Sequence, residues 1–237
     1  MREPLRIDVD GGSVSTIAYG PADAAQQSLT LILAHGAGAG QTHPFIVDYA
    51  QAFAARGIKT ITFNFPYMER GRHLPDRAPV LEACYGAVID EVRRRAGRKR
   101  PGLVIGGKSM GGRIATQLAA QDEARVSTLA GIVCLGYPLH PPGRPERRQT
   151  AHLPQIPCPL LIVQGSRDGF GTPAALQLIV EGLPNAALHV VDGGDHSFKV
   201  SKRSGRPQDT VHAAVQDEVV RWMDALSGDG PRQARPA

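Results

Sequence analysis

Apolar residues fall along this chain in two alternating textures. The first is the short, nearly continuous apolar run, at 29–34, 58–63, 103–105, 129–135, 160–163 and 187–191. Runs of this kind, rich in Leu, Ile and Val, predict strands covered on both faces, as in a parallel sheet. The second is helical spacing. Phe45, Ile46, Tyr49 and Phe53 recur up to Gly57, and Leu81, Tyr85, Val88 and Val92 recur between Pro79 and Gly97. Ile114, Ala115 and Leu118 form a third stripe. A fourth helix opens at Thr172-Pro173 and runs to Gly182, and a last one carries Val211, Val215, Val219, Trp222 and Leu226. Proline at the start and glycine just past the end are the expected helix punctuation. Before all of this, 5–9 and 14–19 alternate apolar and polar about Asp10-Gly11-Gly12-Ser13, which predicts an N-terminal hairpin. Strands alternating with helices give an α/β class: a mainly parallel eight-stranded sheet flanked by helices.

Three stretches break the pattern. Pro21 to Ser28 reads as loop. Residues 64–77 form an irregular, arginine-containing loop after the fourth strand. Residues 136–157 are rich in proline and charge, too short for a large helical cap, and so predict a minimal one. Connections of such length are usually functional or disordered. The polar, Gly- and Pro-containing end, 227–237, predicts a disordered tail behind one domain spanning 1–226.

Composition narrows the classes further. No apolar run approaches the roughly 18–20 residues of a membrane span, and Met1-Arg2-Glu3-Pro4 does not open a signal region. Cys84, Cys134 and Cys158 are odd in number and widely spaced, which argues against a disulfide framework and for a reducing, cytoplasmic setting. The net charge of +5 comes with clusters at 93–95, 98–100 and 199–206. Aromatics are only 5%, too few for the stacking platforms of a nucleic-acid binder, so the clusters read as solvated surface. No His, Cys, Asp or Glu spacing suggests a metal site or a cofactor.

The chemistry concentrates where the strand at 103–105 meets its helix, in Gly107-Lys108-Ser109-Met110-Gly111. Gly-x-Ser-x-Gly at a strand-to-helix turn is a nucleophile elbow, which presents the serine hydroxyl at a helix N-terminus where developing negative charge is favoured. The same residues match Gly-x4-Gly-Lys-Ser, the phosphate-binding loop. That reading conflicts with Leu103, Val104 and Ile105 being a buried strand, and no later strand ends in an aspartate suited to magnesium.

A serine needs a base, and a histidine held by a carboxylate supplies one. His196 follows the last strand and Asp168 follows the strand before it, so Ser109, Asp168 and His196 occur in the order expected after an elbow. Asp192 and Asp195 are alternative acids, although Asp195 adjoins His196 and would tend to point elsewhere. His189 lies within a strand, His212 on a helix and His43 near a helix start. The oxyanion donors expected are the N–H of Met110 and that of Ala37, in the Gly36-Ala37-Gly38 loop that His35 would brace. Tyr67, Met68, Tyr137 and Phe170 are candidates for an apolar substrate wall. Arg70, Arg72, Arg144 and Arg148 would either attract an anionic ester or simply be solvated.

With those residues in view, the chain resembles the α/β-hydrolases over nearly its full length. More narrowly, it is similar to the small dienelactone-hydrolase-like proteins that group with a subunit of a nuclear histone-acetyltransferase complex. The stretches carrying the likeness are 35–40, 64–68, 106–113, 135–143, 168–171 and 194–199. The resemblance implies the same triad, a serine hydrolase of small carboxylic esters or thioesters, and no cofactor. True dienelactone hydrolases carry a cysteine nucleophile where this chain has Ser109, so the family label does not transfer a substrate. Some relatives of this kind act as scaffolds, which makes a catalytically silent binding protein the alternative.

Overall fold

The computed structural model describes residues 2–20, 29–97, 102–141 and 143–227. The expected loop at 21–28, the basic cluster at 98–100 and the tail beyond Ser227 lie outside those residues. Eight strands are described: β1 (Arg2–Val9), β2 (Gly12–Tyr19), β3 (Leu29–Ala34), β4 (Lys59–Phe63), β5 (Gly102–Lys108), β6 (Leu129–Leu135), β7 (Leu160–Gly165) and β8 (Ala186–Val191). They form one sheet in the order β1-β2-β4-β3-β5-β6-β7-β8. The β1–β2 hairpin and the β2–β4 pair are antiparallel, and every other pair is parallel.

The helices are α1 (Pro44–Ala55), α2 (Pro66–Glu69), α3 (Ala78–Ala96), α4 (Met110–Gln121), α5 (Glu123–Val126), α6 (Pro173–Val180) and α7 (Gln208–Leu226). Two of these were not expected. Within the anticipated 64–77 loop, Pro66 supplies the fixed φ of a first helical position and starts the one-turn α2. The short α5 links α4 to β6 and offers too few residues to show periodicity. Among the described residues of 136–157, the one helical feature is the 3-10 turn Leu153–Gln155.

Strand alternation splits the core in two. Ile32, Ile105, Ile132, Cys134 and Ile162 face α3, α4 and α6, meeting Tyr85, Val88, Ile114, Leu118 and Leu176. Leu31, Leu33, Val104, Val133, Leu161 and Val163 face the other way and pack with Ile46, Tyr49 and Phe53 of α1 and Val215, Val219 and Met223 of α7. Burying each such side chain is worth about 1.5–3 kcal/mol, which is why the central strands read as unbroken apolar runs. Among the described residues no helix is long and apolar enough to cross a membrane.

The parallel register brings the strand ends level. Ala34 pairs with Gly107, Lys108 with Leu135, and Leu135 with Val163. The loops after β3, β5, β6, β7 and β8 therefore leave the same edge of the sheet, where sites in open α/β sheets gather. Tyr85 braces this edge from α3. Its buried hydroxyl accepts the Gly106 N–H at 2.9 Å and lies 2.9 Å from the Ile32 carbonyl.

Candidate active site

β5 is a strand up to Lys108, and the Gly102-x4-Gly107-Lys108-Ser109 match lies within its ladder to β3 and β6. Its amides are spent on the sheet, which removes the phosphate-loop reading. Ser109 then takes φ 52 and ψ −115, a conformation that costs a non-glycine residue about 1–3 kcal/mol. The elbow holds it there by close approach of backbone. A Cβ on Gly107 would sit 2.6 Å from the Ala34 carbonyl oxygen and 2.7 Å from the Gly111 carbonyl carbon. One on Gly111 would sit 2.6 Å from the same Ala34 oxygen. Only glycine fits either position.

The Ser109 hydroxyl lies 2.8 Å from His196 Nε2, and His196 Nδ1 lies 2.7 Å from Asp168 Oδ2. Asp168 is buried. Its Oδ1 accepts the Phe170 N–H at 2.8 Å, and its Oδ2 also accepts from Gln164 Nε2 at 2.8 Å. With Asp168 ionised, as its acceptor role requires, His196 carries its proton on Nδ1 and leaves Nε2 free to accept from the serine. The alternative acids are turned elsewhere. Asp195 accepts the Ser197 and Lys199 N–H groups at 2.7 and 2.9 Å, closing the turn that displays His196. Asp192 is exposed and paired with Arg206.

Met110 is the first residue of α4, so its N–H has no carbonyl one turn behind it. Ala37 is half-buried in the loop after β3, and its carbonyl accepts the Tyr67 hydroxyl at 2.9 Å. His35 holds the same loop from beneath. Its Nε2 accepts the Phe65 N–H at 3.0 Å, so its Nδ1 is the protonated nitrogen and donates to the Gly36 carbonyl at 2.7 Å. Burial keeps this imidazole neutral and lowers it to about 4. With the carbonyls of Gly36 and Ala37 pinned away, the loop is braced on its carbonyl side.

The expected apolar wall divides. Tyr67 and Tyr137 are both 0% exposed, and the Tyr137 hydroxyl donates to the Gln149 carbonyl at 2.8 Å. They brace loops and present no surface to a substrate, because each ring carries a hydroxyl that reaches an interior carbonyl. Met68 and Phe170 are half-buried. Met68 lies over Gly40, and Phe170 packs on the His196 ring at 4.3 Å between centroids. Of the arginines, Arg70 and Arg72 both pair with Asp76, the first at 2.7 Å, so their charge is largely spent locally. Arg144 and Arg148 are exposed.

Gln164 was missed from sequence. It is fully buried at the end of β7, and its amide links Asp168, the Gly171 carbonyl at 3.0 Å and the Tyr137 N–H at 2.7 Å. A lone amide ending the run Leu160-Leu161-Ile162-Val163 was the available signal, since buried polar groups are there to be bonded.

Residues 27–224 match the family model described as an alpha/beta hydrolase domain. Three solved structures share the fold at low identity. A serine hydrolase without a lid from Xanthomonas campestris aligns with TM-score 0.70 at 22% identity, covering 93% of this chain and 94% of that one. An alpha-beta serine hydrolase homologue from Coxiella burnetii gives 0.73 at 21%, covering 92% and 96%. A dienelactone hydrolase from Anabaena variabilis gives 0.73 at 19%, covering 95% and 97%. Among curated proteins, the polyketide synthase ThaQ of Burkholderia thailandensis is 36% identical over 76 residues. That is 32% of this chain and only 4% of the synthase, so the chain spans a small fraction of that relative's length. These likenesses carry the broader family and the dienelactone-hydrolase-like architecture, and do not carry the narrower kinship with a histone-acetyltransferase subunit.

Proposed function

The chain belongs to the alpha/beta hydrolase domain family, and from that premise we propose that it is a serine hydrolase of small carboxylic esters or thioesters working through an acyl-enzyme. The observation that carries this reading is the unbroken chain from Ser109 Oγ through His196 to Asp168, at 2.8 and 2.7 Å, on a serine held at φ 52. In the first half-reaction Ser109 Oγ attacks the substrate carbonyl carbon while His196 Nε2 takes its proton. Asp168 keeps the imidazole in the accepting tautomer and stabilises the imidazolium. The negative charge on the former carbonyl oxygen is met by the Met110 and Ala37 N–H groups and the N-terminus of α4. His196 then gives its proton to the departing alcohol or thiol. In the second half-reaction it activates a water that attacks the acyl-Ser109 ester, and Ser109 leaves with the proton restored.

The preference for small substrates rests on the 136–157 stretch, whose described residues add one 3-10 turn and no α-helix. The test is labelling by a fluorophosphonate probe of wild type, Ser109→Ala and His196→Ala, followed by turnover on a panel of p-nitrophenyl esters and thioesters. Labelling and turnover that need both residues support the reading. A folded wild type that is neither labelled nor active refutes it and favours the silent binding protein.

A further inference from the structure

The net charge of the chain is not spread evenly, and the mechanism above makes no use of where it lies. Five connections leave the carboxyl ends of the parallel strands around Ser109: 35–43 after β3, 64–77 after β4, 136–157 after β6, 166–172 after β7 and 192–207 after β8. Together they hold 11 of the 27 Lys and Arg residues and 6 of the 22 Asp and Glu residues. Their net charge is +5, equal to that of the whole chain, and the rest of the sequence carries 16 charges of each sign. Counting also the first five residues of α1, α3, α4, α6 and α7 brings in Asp48, Glu82, Arg113 and Asp209 and leaves this edge at +3. The tip of the β1–β2 hairpin, with Asp8 and Asp10, reaches the same edge, but β2 and β1 stand three and four places from β5 in the sheet. At about 4.8 Å per strand that is roughly 14 and 19 Å.

Part of this charge is paired. Arg70 and Arg72 share Asp76, and Arg206 lies 3.5 Å from Asp192. On the β6–β8 side, Arg144, Arg148, Arg167, Lys199, Lys202 and Arg203 are exposed and have no ion-pair partner among the described residues. The backbone ties them to the triad. Arg167 directly precedes Asp168. The Lys199 carbonyl accepts the Asp195 N–H at 3.0 Å, closing the turn that displays His196. The Phe170 carbonyl accepts the His140 N–H at 3.2 Å, which fastens the stretch carrying Arg144 and Arg148 to the ring packed on His196. Lys108 stands apart from this rim. It is only 8% exposed, its Nζ has no hydrogen-bond partner among the described residues, and it lies 5.7 Å from the centroid of the Phe45 ring.

We propose that this basic rim selects anionic substrates: small esters or thioesters that carry a carboxylate, phosphate or sulfonate group outside the scissile bond. The assignment rests on the hydrolase reading of the same site. A cleft bordered by one sign of charge concentrates the opposite sign at its mouth. Five net charges roughly 10 Å from a bound anion favour it about tenfold at 10 mM salt and about threefold at 0.15 M, because the screening length falls from about 30 to about 8 Å. The attraction acts on the bound substrate and on its transition state alike, so it lowers KM and leaves kcat nearly unchanged.

The experiment measures kcat and KM for three acetates whose nitrophenol leaving groups carry a carboxylate, no charge or a trimethylammonium group. Each rate is normalised to the alkaline hydrolysis of the same ester. Wild type is compared, from 10 mM to 1 M salt, with two double variants of equal charge change, both checked for fold by circular dichroism. Arg144→Glu with Arg148→Glu alters the rim, and Arg2→Glu with Lys59→Glu alters the opposite edge of the sheet. Wild type is expected to prefer the carboxylate ester over the neutral one about tenfold at 10 mM salt, through KM, and to lose the preference toward 1 M. The trimethylammonium ester is expected to shift the opposite way. The rim variant should lose about sixfold of the preference and the opposite-edge variant less than twofold. Equal normalised kcat/KM for the three esters at 10 mM salt overturns the proposal and leaves the hydrolase reading standing. A preference that both variants reduce equally also overturns it, since a diffuse or merely structural effect would behave that way. Turnover that persists in Ser109→Ala, or no turnover of any of the three by wild type, overturns the hydrolase reading and the substrate class with it.

Discussion

Burying an ammonium without a hydrogen-bond partner has a stability cost that can be read separately from activity. Lys108 ordinarily titrates near 10.5 and is lowered to about 8 in the folded chain, chiefly by desolvation. Between those values the unfolded chain binds the proton and the folded one does not, so stability rises with pH across that window. Relative to a neutral side chain, the stability is fully present above 10.5 and is lost as pH falls through about 8. The size of the change is about 3 kcal/mol, at about 1.4 kcal/mol per unit. Lys108→Met keeps the aliphatic stem and removes the charge. The Phe45 contact it gives up is worth about 0.5–1 kcal/mol, less than the desolvation it relieves. Lys108→Met is therefore expected to be more stable than wild type at pH 7 by up to about 3 kcal/mol. At roughly 2–4 °C per kcal/mol for a chain of this size, the gain is also visible as Tm. Urea unfolding followed by the fluorescence of Trp222, the only tryptophan, at pH values from 6 to 11 measures both limbs. Taking wild type minus variant cancels the tyrosines and thiols that titrate in the same range. A variant less stable than wild type at pH 7, or a difference that stays flat between pH 8 and 10.5, would refute the reasoning.

Two further outcomes follow from the site. Gln164→Leu strips Asp168 Oδ2 of one donor and leaves the buried Tyr137 N–H without its acceptor. It should cost about 2–4 kcal/mol in urea unfolding and lower kcat far more than it changes KM for an ester substrate. His35 is lowered to about 4 from 6.5, so its neutral burial contributes stability that is fully present above 6.5 and lost as pH falls through 4. The loss amounts to about 3 kcal/mol, and His35→Asn should flatten that part of the acid-denaturation curve.

How much was legible in the sequence differs by kind of signal. The central strands were, because both-face burial writes itself as apolar runs, and the β1–β2 hairpin was through its alternation; β8 was legible as a run although only Val191 of it is buried, and the bounds of several strands differ from the expected ones by one to three residues. The proximity of Ser109, Asp168 and His196 was also legible, because parallel strands deliver their C-terminal loops to one edge and the residue types there are few. What was not legible is which aromatic rings near the site are spent on bracing. Tyr67 and Tyr137 look from sequence like a substrate wall. Only the paths of their hydroxyls to the Ala37 and Gln149 carbonyls show that they are interior struts. The short α2 and α5 escaped because one helical turn has no period to detect. Lys108 was read only as a residue of the elbow. That its side chain is buried close against Gly136, nearly thirty residues away in sequence and one strand over in the sheet, is written in no local pattern.

The strand order has a consequence for how the chain comes to work at all. Ser109 and His196 touch across a sequence separation of 87 residues, and Asp168 and His196 across 28. The Asp168–His196 contact needs only the neighbouring strands β7 and β8 to pair, whereas the Ser109–His196 contact requires β6, β7 and β8 all to be in place beside β5, and such long-range parallel pairing is slow because loop closure precedes its reward. A folding chain can own its hairpin, its helices and even its elbow while the proposed nucleophile, Ser109, still lacks its histidine. On the serine-hydrolase reading, recovery of ester turnover during refolding would therefore report the docking of β8, and a fragment ending before residue 196 would lack the proposed base.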